Sequence, residues 1–189
     1  NYAVKYEFPN DKKKFFPAGQ KWPYPGISSY RGTKWDNWGY SDIPSRMTNV
    51  YDLLKTGYDL QRMDSIIGVD TDKRIVRDFL KLAYEFTTAN PETYHNMSPS
   101  LYKDMIQLGR VIDDPEMIHE AVKRFREFFA RGFFADGWWK EGSPSYHNMT
   151  IRGLKTVIDA LSGYTDPADW KGERFENLDM TAEIPLYKK

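Results

Sequence analysis

The stretch that decides the fold is SPSLYKDMIQLGRVIDDPEMIHEAVKRFREFF, residues 98–129. It holds two helix starts of one form, because Ser98-Pro99 and Asp114-Pro115 each place a capping residue before a proline that suits the first helical position. The apolar residues after each start recur at helical spacing: Leu101, Met105, Leu108 and Ile112, then Met117, Ile118, Ala121, Val122, Phe125, Phe128 and Phe129. The stretch therefore predicts two consecutive α-helices.

The same features continue on both sides of this stretch. Ser143-Pro144 repeats the start signal, and apolar residues follow it at helical spacing: Ile151, Leu154, Val157, Ile158 and Leu161. On the N-terminal side the helical pattern begins at Ser45 and breaks at Gly57. A further helix starts at Asp70 or Thr71 and stops at Asn90-Pro91. The chain is therefore predicted to be all-α, with about five main helices.

The two ends of the chain differ from this helical part. Residues 1–45 are rich in proline, glycine and aromatic residues and predict a loop-rich N-terminal arm. Residues 46–165 form the helical segment, and residues 166–189 are predicted to be an irregular tail. The tetrapeptide YHNM occurs at 94–97 and 146–149, on opposite sides of a serine-proline. It is therefore not a duplicated structural unit, and no fixed repeat period is present.

Composition excludes several classes of function. Lys+Arg and Asp+Glu both number 27, so nothing global favours nucleic acid or an anionic membrane as a partner. The absence of cysteine excludes disulfides and thiolate chemistry. The three histidines lack metal-ligand spacing and no nucleotide-binding motif occurs, so we expect no metal and no cofactor. No apolar run approaches the roughly 20 residues of a membrane span, and no signal-peptide hydrophobic stretch begins the chain.

Tyr146 is the first residue that suggests chemistry. It follows Ser143-Pro144 and should lie in the first turn of its helix, where the helix dipole favours a negative charge by about 0.3–1 kcal/mol. That is too little to ionise a tyrosine of pKa near 10 at neutral pH, so a nearby cation is needed. His147 is one candidate. The alternative is an ordinary buried tyrosine that packs and hydrogen-bonds.

Asn96 is the second residue that suggests chemistry. It lies two residues before Ser98, in the loop that enters a helix, where a side-chain amide can donate to an anion held at the helix start. The alternative is a local turn bond made by the same amide.

Two carboxylates, Asp136 and Glu141, lie between helices in FFADGWWKEGSPSYHNMT, residues 133–150. Paired carboxylates can serve a glycosidase. Aspartate and glutamate are also common in turns, so this signal is weak.

These residues together resemble the heparinase II/III-like polysaccharide lyases. The matching elements are Asn96 at a helix entry, Gly109 thirteen residues later, a DG turn, and the sequence EGSPSYH; the earlier IPSRMTNVYDLL is similar to the helical region of that family. The resemblance covers roughly residues 40–165. It implies part of an (α/α) toroid of antiparallel helix pairs, followed in relatives by a β-sandwich domain. It also implies a bacterial periplasmic or secreted location.

The resemblance implies β-elimination on a uronic-acid-containing polysaccharide. Asn96 matches the asparagine that neutralises the uronate carboxylate, and Tyr146 matches the tyrosine that acts as base, acid or both. Trp138 and Trp139 are then candidates for stacking on sugar rings. Further candidates for substrate contacts are Glu141, Arg110 and Arg152.

Two departures from the family matter. Many relatives have histidine directly after the asparagine, where this chain has Met97, and His95 on the other side is the candidate substitute. Relatives take a second catalytic histidine from or near the β-sandwich, which lies beyond this chain. We therefore expect a fragment of a larger lyase or an incomplete domain. Two other functions stay open: a toroid glycoside hydrolase using Asp136 or Glu141, and a non-catalytic glycan-binding helical domain.

Overall fold

The computed structural model describes residue 43, residues 45–88, residue 92 and residues 94–183. The described residues are mainly helical and include no strand, which confirms the predicted all-α class. The helices are α1 (Ser45–Gly57), α2 (Leu60–Ile67), α3 (Thr71–Ile75), a π-helical segment (Val76–Lys81), α4 (Leu82–Thr88), α5 (Ser98–Val111), α6 (Pro115–Gly132), α7 (Pro144–Leu161) and a 3-10 turn (Met180–Glu183). None of these helices has the length and apolarity to cross a membrane.

The chain divides into two compact units, one ending at Glu92 and one beginning at Thr93. In the first unit, the predicted break at Gly57 separates α1 from α2. Asp70 caps α3, because its carboxylate accepts a hydrogen bond of 2.8 Å from the backbone N–H of Lys73. Residues 1–42 of the predicted arm and the predicted stop at Asn90-Pro91 lie outside the described residues.

The second unit is built from α5, α6 and α7. Its fully buried side chains come from the apolar positions of these helices, from one loop residue and from the 3-10 turn, and they include Tyr102, Met105, Ile106, Leu108, Ile118, Phe125, Phe128, Trp139, Leu161 and Met180. Gly109 allows α5 to turn tightly into α6, since a Cβ there would lie 2.8 Å from Ile118 Cγ1. Gly109, one element of the family resemblance, therefore has an ordinary packing role.

The three predicted capping residues behave differently from the prediction. Asp114 and Ser143 occupy the N-cap positions of α6 and α7, but neither side chain makes a capping hydrogen bond. Ser98 is not an N-cap: α5 begins at Ser98 itself, with Met97 at the cap position. The Ser98 hydroxyl instead accepts a hydrogen bond of 3.1 Å from the backbone N–H of His95.

Helices α5 and α7 run in the same general direction. Pro99, at the start of α5, faces Gly153 in the middle of α7, where an added Cβ would lie 2.9 Å from Pro99 Cβ. At the other end of the pair, Arg110 donates a hydrogen bond of 2.7 Å to the carbonyl of Ala160. The starts of the two helices therefore point toward one end of the unit, and their last turns point toward the other.

The segment after α7 is irregular, as predicted, but it is firmly attached through Asp166. The Asp166 side chain is fully buried. It accepts hydrogen bonds from His119 (2.9 Å), the Tyr164 hydroxyl (2.8 Å) and the backbone N–H of Phe175 (2.6 Å). The His119 ring stacks between Trp170 and Phe175, at centroid distances of 4.6 and 4.1 Å. Asp166 therefore joins α6 to the C-terminal segment.

Asp166 should make the stability of the protein depend on pH. Burial alone would raise its pKa, but the hydrogen bonds from Phe175, Tyr164 and His119 outweigh burial and hold the pKa below the ordinary 3.8. A carboxyl whose folded-state pKa is lowered stabilises the fold above its unfolded-state pKa, and this contribution is lost as the pH falls through the folded-state value. In Asp166→Asn, one carboxylate oxygen is replaced by an amide NH₂ group, which faces hydrogen-bond donors and cannot accept from them.

We expect Asp166→Asn to lower the free energy of unfolding by about 3 kcal/mol at pH 7, and the difference from wild type to narrow below about pH 4. Urea unfolding of wild type and variant at a series of pH values measures the loss at pH 7 and its narrowing at low pH. Asp159→Asn, which removes an exposed carboxylate paired with Lys155, is the control and should cost under about 0.5 kcal/mol. Equal stability of wild type and Asp166→Asn at pH 7 would contradict this account.

Candidate functional site

The turn that carries Asn96 is held by its neighbours. His95 Nδ1 accepts a hydrogen bond of 3.0 Å from the backbone N–H of Met97, and the backbone carbonyl of His95 accepts one of 2.9 Å from Ser98. The half-buried Asn96 side chain has no hydrogen-bond partner among the described residues. The local turn bond considered for Asn96 is thus made by His95 and Ser98 instead, and the Asn96 amide remains available to a ligand.

Tyr94 fixes the start of this turn. Its backbone adopts a φ of 50°, in the left-handed region that non-glycine residues seldom occupy. Its hydroxyl donates a hydrogen bond to Glu127 on α6. That hydrogen bond lowers the pKa of the Glu127 carboxyl. The turn is therefore anchored to α6 by Tyr94, two residues before Asn96.

Tyr146 lies in the first turn of α7, as predicted. It is 47% exposed, so it is not the ordinary buried tyrosine considered as the alternative. Its backbone carbonyl accepts a hydrogen bond of 2.8 Å from the Thr150 hydroxyl. Within the described part of the chain, nothing hydrogen-bonds to its phenolic oxygen. The hydroxyl is therefore open to a ligand.

Helix α7 brings Tyr146 and Asn96 to the same end of the unit. Tyr146, Thr150 and Gly153 are spaced as one face of a helix, and Gly153 meets Pro99 at the start of α5. Tyr146 lies seven residues before Gly153, a rise of about 10 Å. Asn96 lies three residues before Pro99. Since the two helices run in the same direction, Tyr146 and Asn96 both lie on the N-terminal side of the contact between Gly153 and Pro99. They are therefore at the same end of the helix pair.

A tight hairpin-like loop lies beside Tyr146. Phe133 and Trp139 form an isolated antiparallel bridge. The Trp138 ring, 38% exposed, stacks on the His147 ring with centroids 4.4 Å apart and planes 5° apart. His147 Nδ1 accepts a hydrogen bond of 3.2 Å from the backbone N–H of Trp139. The loop is thereby attached to the first turn of α7.

This contact changes the expected role of His147. The Nδ1 atom of His147 is occupied by the backbone N–H of Trp139, so this nitrogen is engaged by the loop rather than by Tyr146. His147 positions the loop that carries Trp138. His95, the other candidate histidine, likewise makes a local structural contact through Nδ1.

Trp139 does not belong to an open site. It is fully buried and stacks on Phe128 at a centroid distance of 5.1 Å. Its indole N–H donates a hydrogen bond of 2.6 Å to Glu141. Asp136 accepts from the backbone N–H of Trp138 at 3.0 Å. A buried ring has no face for a sugar, so Trp139 is removed from the expected sugar-stacking residues, and both carboxylates of the loop support its structure.

The two candidate arginines are placed differently. Arg110 lies in the last turn of α5 and caps the end of α7 through Ala160, so it is at the opposite end of the helix pair from Asn96, about 20 Å along α5. It is therefore removed from the expected substrate contacts. Arg152 is exposed on α7, six residues after Tyr146, and remains a candidate.

Sequence reasoning missed the cluster around His119. A groove of about 520 Å³ runs along the stack of His119, Trp170 and Phe175. His119 and Asp166 are 47 residues apart, so no local pattern connected them. Within the described ranges, no group of three histidine or carboxylate side chains is placed to hold a metal ion.

Comparison of the chain with models of protein families, with curated proteins and with solved structures finds no match.

Proposed function

We propose that this chain is the helical part of a polysaccharide lyase, which cleaves a uronic-acid-containing glycan by β-elimination. One observation carries the proposal. Asn96 and Tyr146 each present a polar group that no described residue binds, and both lie at the same end of the α5–α7 pair. In this function Asn96 contacts the uronate carboxylate and Tyr146 transfers the proton.

The reaction is balanced by one proton that leaves and returns. The Tyr146 oxygen takes the proton from C5 of the uronate, and the C–H electron pair forms the C4–C5 double bond. The bond from C4 to the glycosidic oxygen breaks, and Tyr146 returns its proton to that oxygen. Both atoms must lie on one face of the sugar for a single tyrosine to serve both steps.

Asn96 supplies the electrostatic part of this mechanism. A proton next to a carboxylate is weakly acidic because its removal places a second negative charge on the enolate. Hydrogen bonds that strengthen as this charge develops lower the barrier by several kcal/mol. A half-buried amide that no described residue binds is suited to this, since binding the carboxylate breaks none of the hydrogen bonds seen in that part of the chain.

Trp138 is the proposed sugar platform. His147 covers one of its ring faces, and the ring is 38% exposed. Aromatic faces suit the apolar side of a sugar ring, and a ring held in one orientation loses little entropy when it binds. Arg152 is retained as a proposed contact for acidic groups of the glycan.

The remaining features of the proposal rest on the family resemblance. They are an (α/α) toroid arrangement of helix pairs, a β-sandwich domain that supplies the second catalytic histidine, and a periplasmic or secreted bacterial location. The proposed function also requires a cation near Tyr146. The chain alone would then bind the glycan and react slowly.

The test is the ultraviolet absorbance of the new C4–C5 double bond. The chain is incubated with alginate, heparan sulfate, chondroitin and ulvan, with a neutral glycan as the control. We expect absorbance to rise with one acidic glycan and to stay flat with the neutral one. New reducing ends without absorbance would favour a hydrolase using Asp136 or Glu141. Binding without cleavage would favour a non-catalytic glycan-binding domain.

A further inference from the structure

Arg131 lies next to the Asn96 turn although no sequence pattern singles it out. It is in the last turn of α6, and its side chain is 64% exposed. Its guanidinium carbon lies over the Tyr94 ring, 5.2 Å from the ring centroid. A guanidinium held against an aromatic face is fixed in orientation, and its N–H groups at the edge stay free to donate.

Among the described residues, no carboxylate oxygen lies closer than 4.0 Å to Arg131. Its nearest acidic oxygen is Glu127 Oε2, at 4.0 Å. That same oxygen accepts the hydroxyl of Tyr94. A pair this long and this exposed contributes little and is weakened further by salt.

Other cations of α6 are engaged more closely. Arg124 donates to Glu120 at 2.8 Å, and Arg126 donates to Glu173 at 3.3 Å. Arg131 is paired less closely than either of them, since its carboxylate partner lies 4.0 Å away. Lys123 is paired about as loosely, at 3.8 Å from Glu120, but Arg131 is the cation whose guanidinium lies over Tyr94, beside the Asn96 turn.

Tyr94 connects Arg131 to Asn96. Tyr94 and Asn96 are two residues apart in the same turn, so their Cα atoms are at most about 7 Å apart. The end of α6 also leads directly into the loop that carries Trp138, and Gly132 lies against Trp139 in that loop. Arg131 thus lies between the Asn96 turn and the loop of the proposed sugar platform.

We propose that Arg131 binds an acidic group, a carboxylate or a sulfate, on a sugar next to the one whose carboxylate meets Asn96. The position of the glycan in this inference rests on the proposed function. Arg131 then selects a class of substrate, namely glycans with acidic groups on neighbouring sugars. Tyr94 positions Arg131 by holding its guanidinium.

The first arm of the test measures binding of an alginate tetrasaccharide, in which every sugar carries a carboxylate, to the full chain by calorimetry. The comparison ligand is the same tetrasaccharide with its carboxyl groups reduced to alcohols. We expect Arg131→Gln to weaken binding of the acidic ligand about tenfold and to leave binding of the reduced ligand unchanged. Arg126→Gln makes the same charge change on the same helix and should leave both affinities unchanged.

The second arm uses chondroitin tetrasaccharides with and without sulfate, which separates recognition of a sulfate from that of a carboxylate. An Arg131-dependent preference in either arm supports the inference. Failure of the wild type to prefer any acidic ligand, or equal losses in Arg131→Gln and Arg126→Gln, would overturn it. Elimination is measured in parallel: Arg131-dependent binding without elimination would refute only the lyase function, and elimination without Arg131 dependence would refute only this inference.

Discussion

Tyr146→Phe should abolish the elimination reaction, with a loss in kcat of about 10²–10⁴-fold, the usual contribution of a positioned acid–base group. The change removes one hydroxyl. That hydroxyl has no hydrogen-bond partner among the described residues and the side chain is 47% exposed, so the fold should be unaffected. KM should change little, because the ring stays in place and the proton transfer alone is lost. Initial rates of absorbance increase measure both constants.

The matched control for this prediction is Tyr58→Phe. Tyr58 is 49% exposed and lies just after α1, in the other compact unit. Removing its hydroxyl should leave kcat and KM unchanged. If Tyr146→Phe retained most of the activity, another group would be the base. If KM rose with kcat unchanged, Tyr146 would bind substrate without transferring the proton.

Trp139→Ala should lower the free energy of unfolding by about 3–5 kcal/mol, as expected when a buried indole is removed. The ring is fully buried, stacks on Phe128 and occupies the space beside Gly132, where an added Cβ would lie 2.5 Å from it. Its loss also leaves Glu141 without the indole N–H that it accepts. Urea denaturation followed by circular dichroism measures the difference.

Trp138→Ala is the matched control, because it removes the neighbouring indole from the surface. Trp138 is 38% exposed, and its main described ring contact is the His147 face. We expect it to cost less than about 1 kcal/mol of stability and to weaken glycan binding, the reverse of the Trp139 result. Equal stability losses in both variants would show that the loop packs differently from this description.

Helix content could be predicted from the sequence because it depends on local patterns. Apolar spacing located α5, α6 and α7, and proline at the first helical positions fixed where α6 and α7 begin. Capping was predicted less well, because Ser98 lies inside its helix and bonds to His95 rather than to the helix backbone. Side-chain partners in a turn depend on geometry that residue type alone does not fix.

The candidate site was predicted only in part, for a similar reason. Trp138 and Trp139 are adjacent residues of the same type, and the sequence does not distinguish them. Trp138 is exposed and Trp139 is in the core, because consecutive residues of the loop face opposite sides. Arg110 and Arg131 are both exposed arginines in the last turn of a helix, and only the direction of their helices separates them. The pairing of His119 with Asp166 joins residues far apart in the chain. Such relations require the folded chain.

The contact between Gly153 and Pro99 has a consequence for the spacing of α5 and α7. Glycine inside a helix costs about 0.5–1 kcal/mol relative to alanine, so its presence in α7 has to be offset by the close approach that it permits. A single methyl group at position 153 would force the two helix backbones apart, since it would lie 2.9 Å from Pro99 Cβ. The spacing of α5 and α7 at the end that carries Asn96 and Tyr146 is therefore set by the absence of a side chain at position 153.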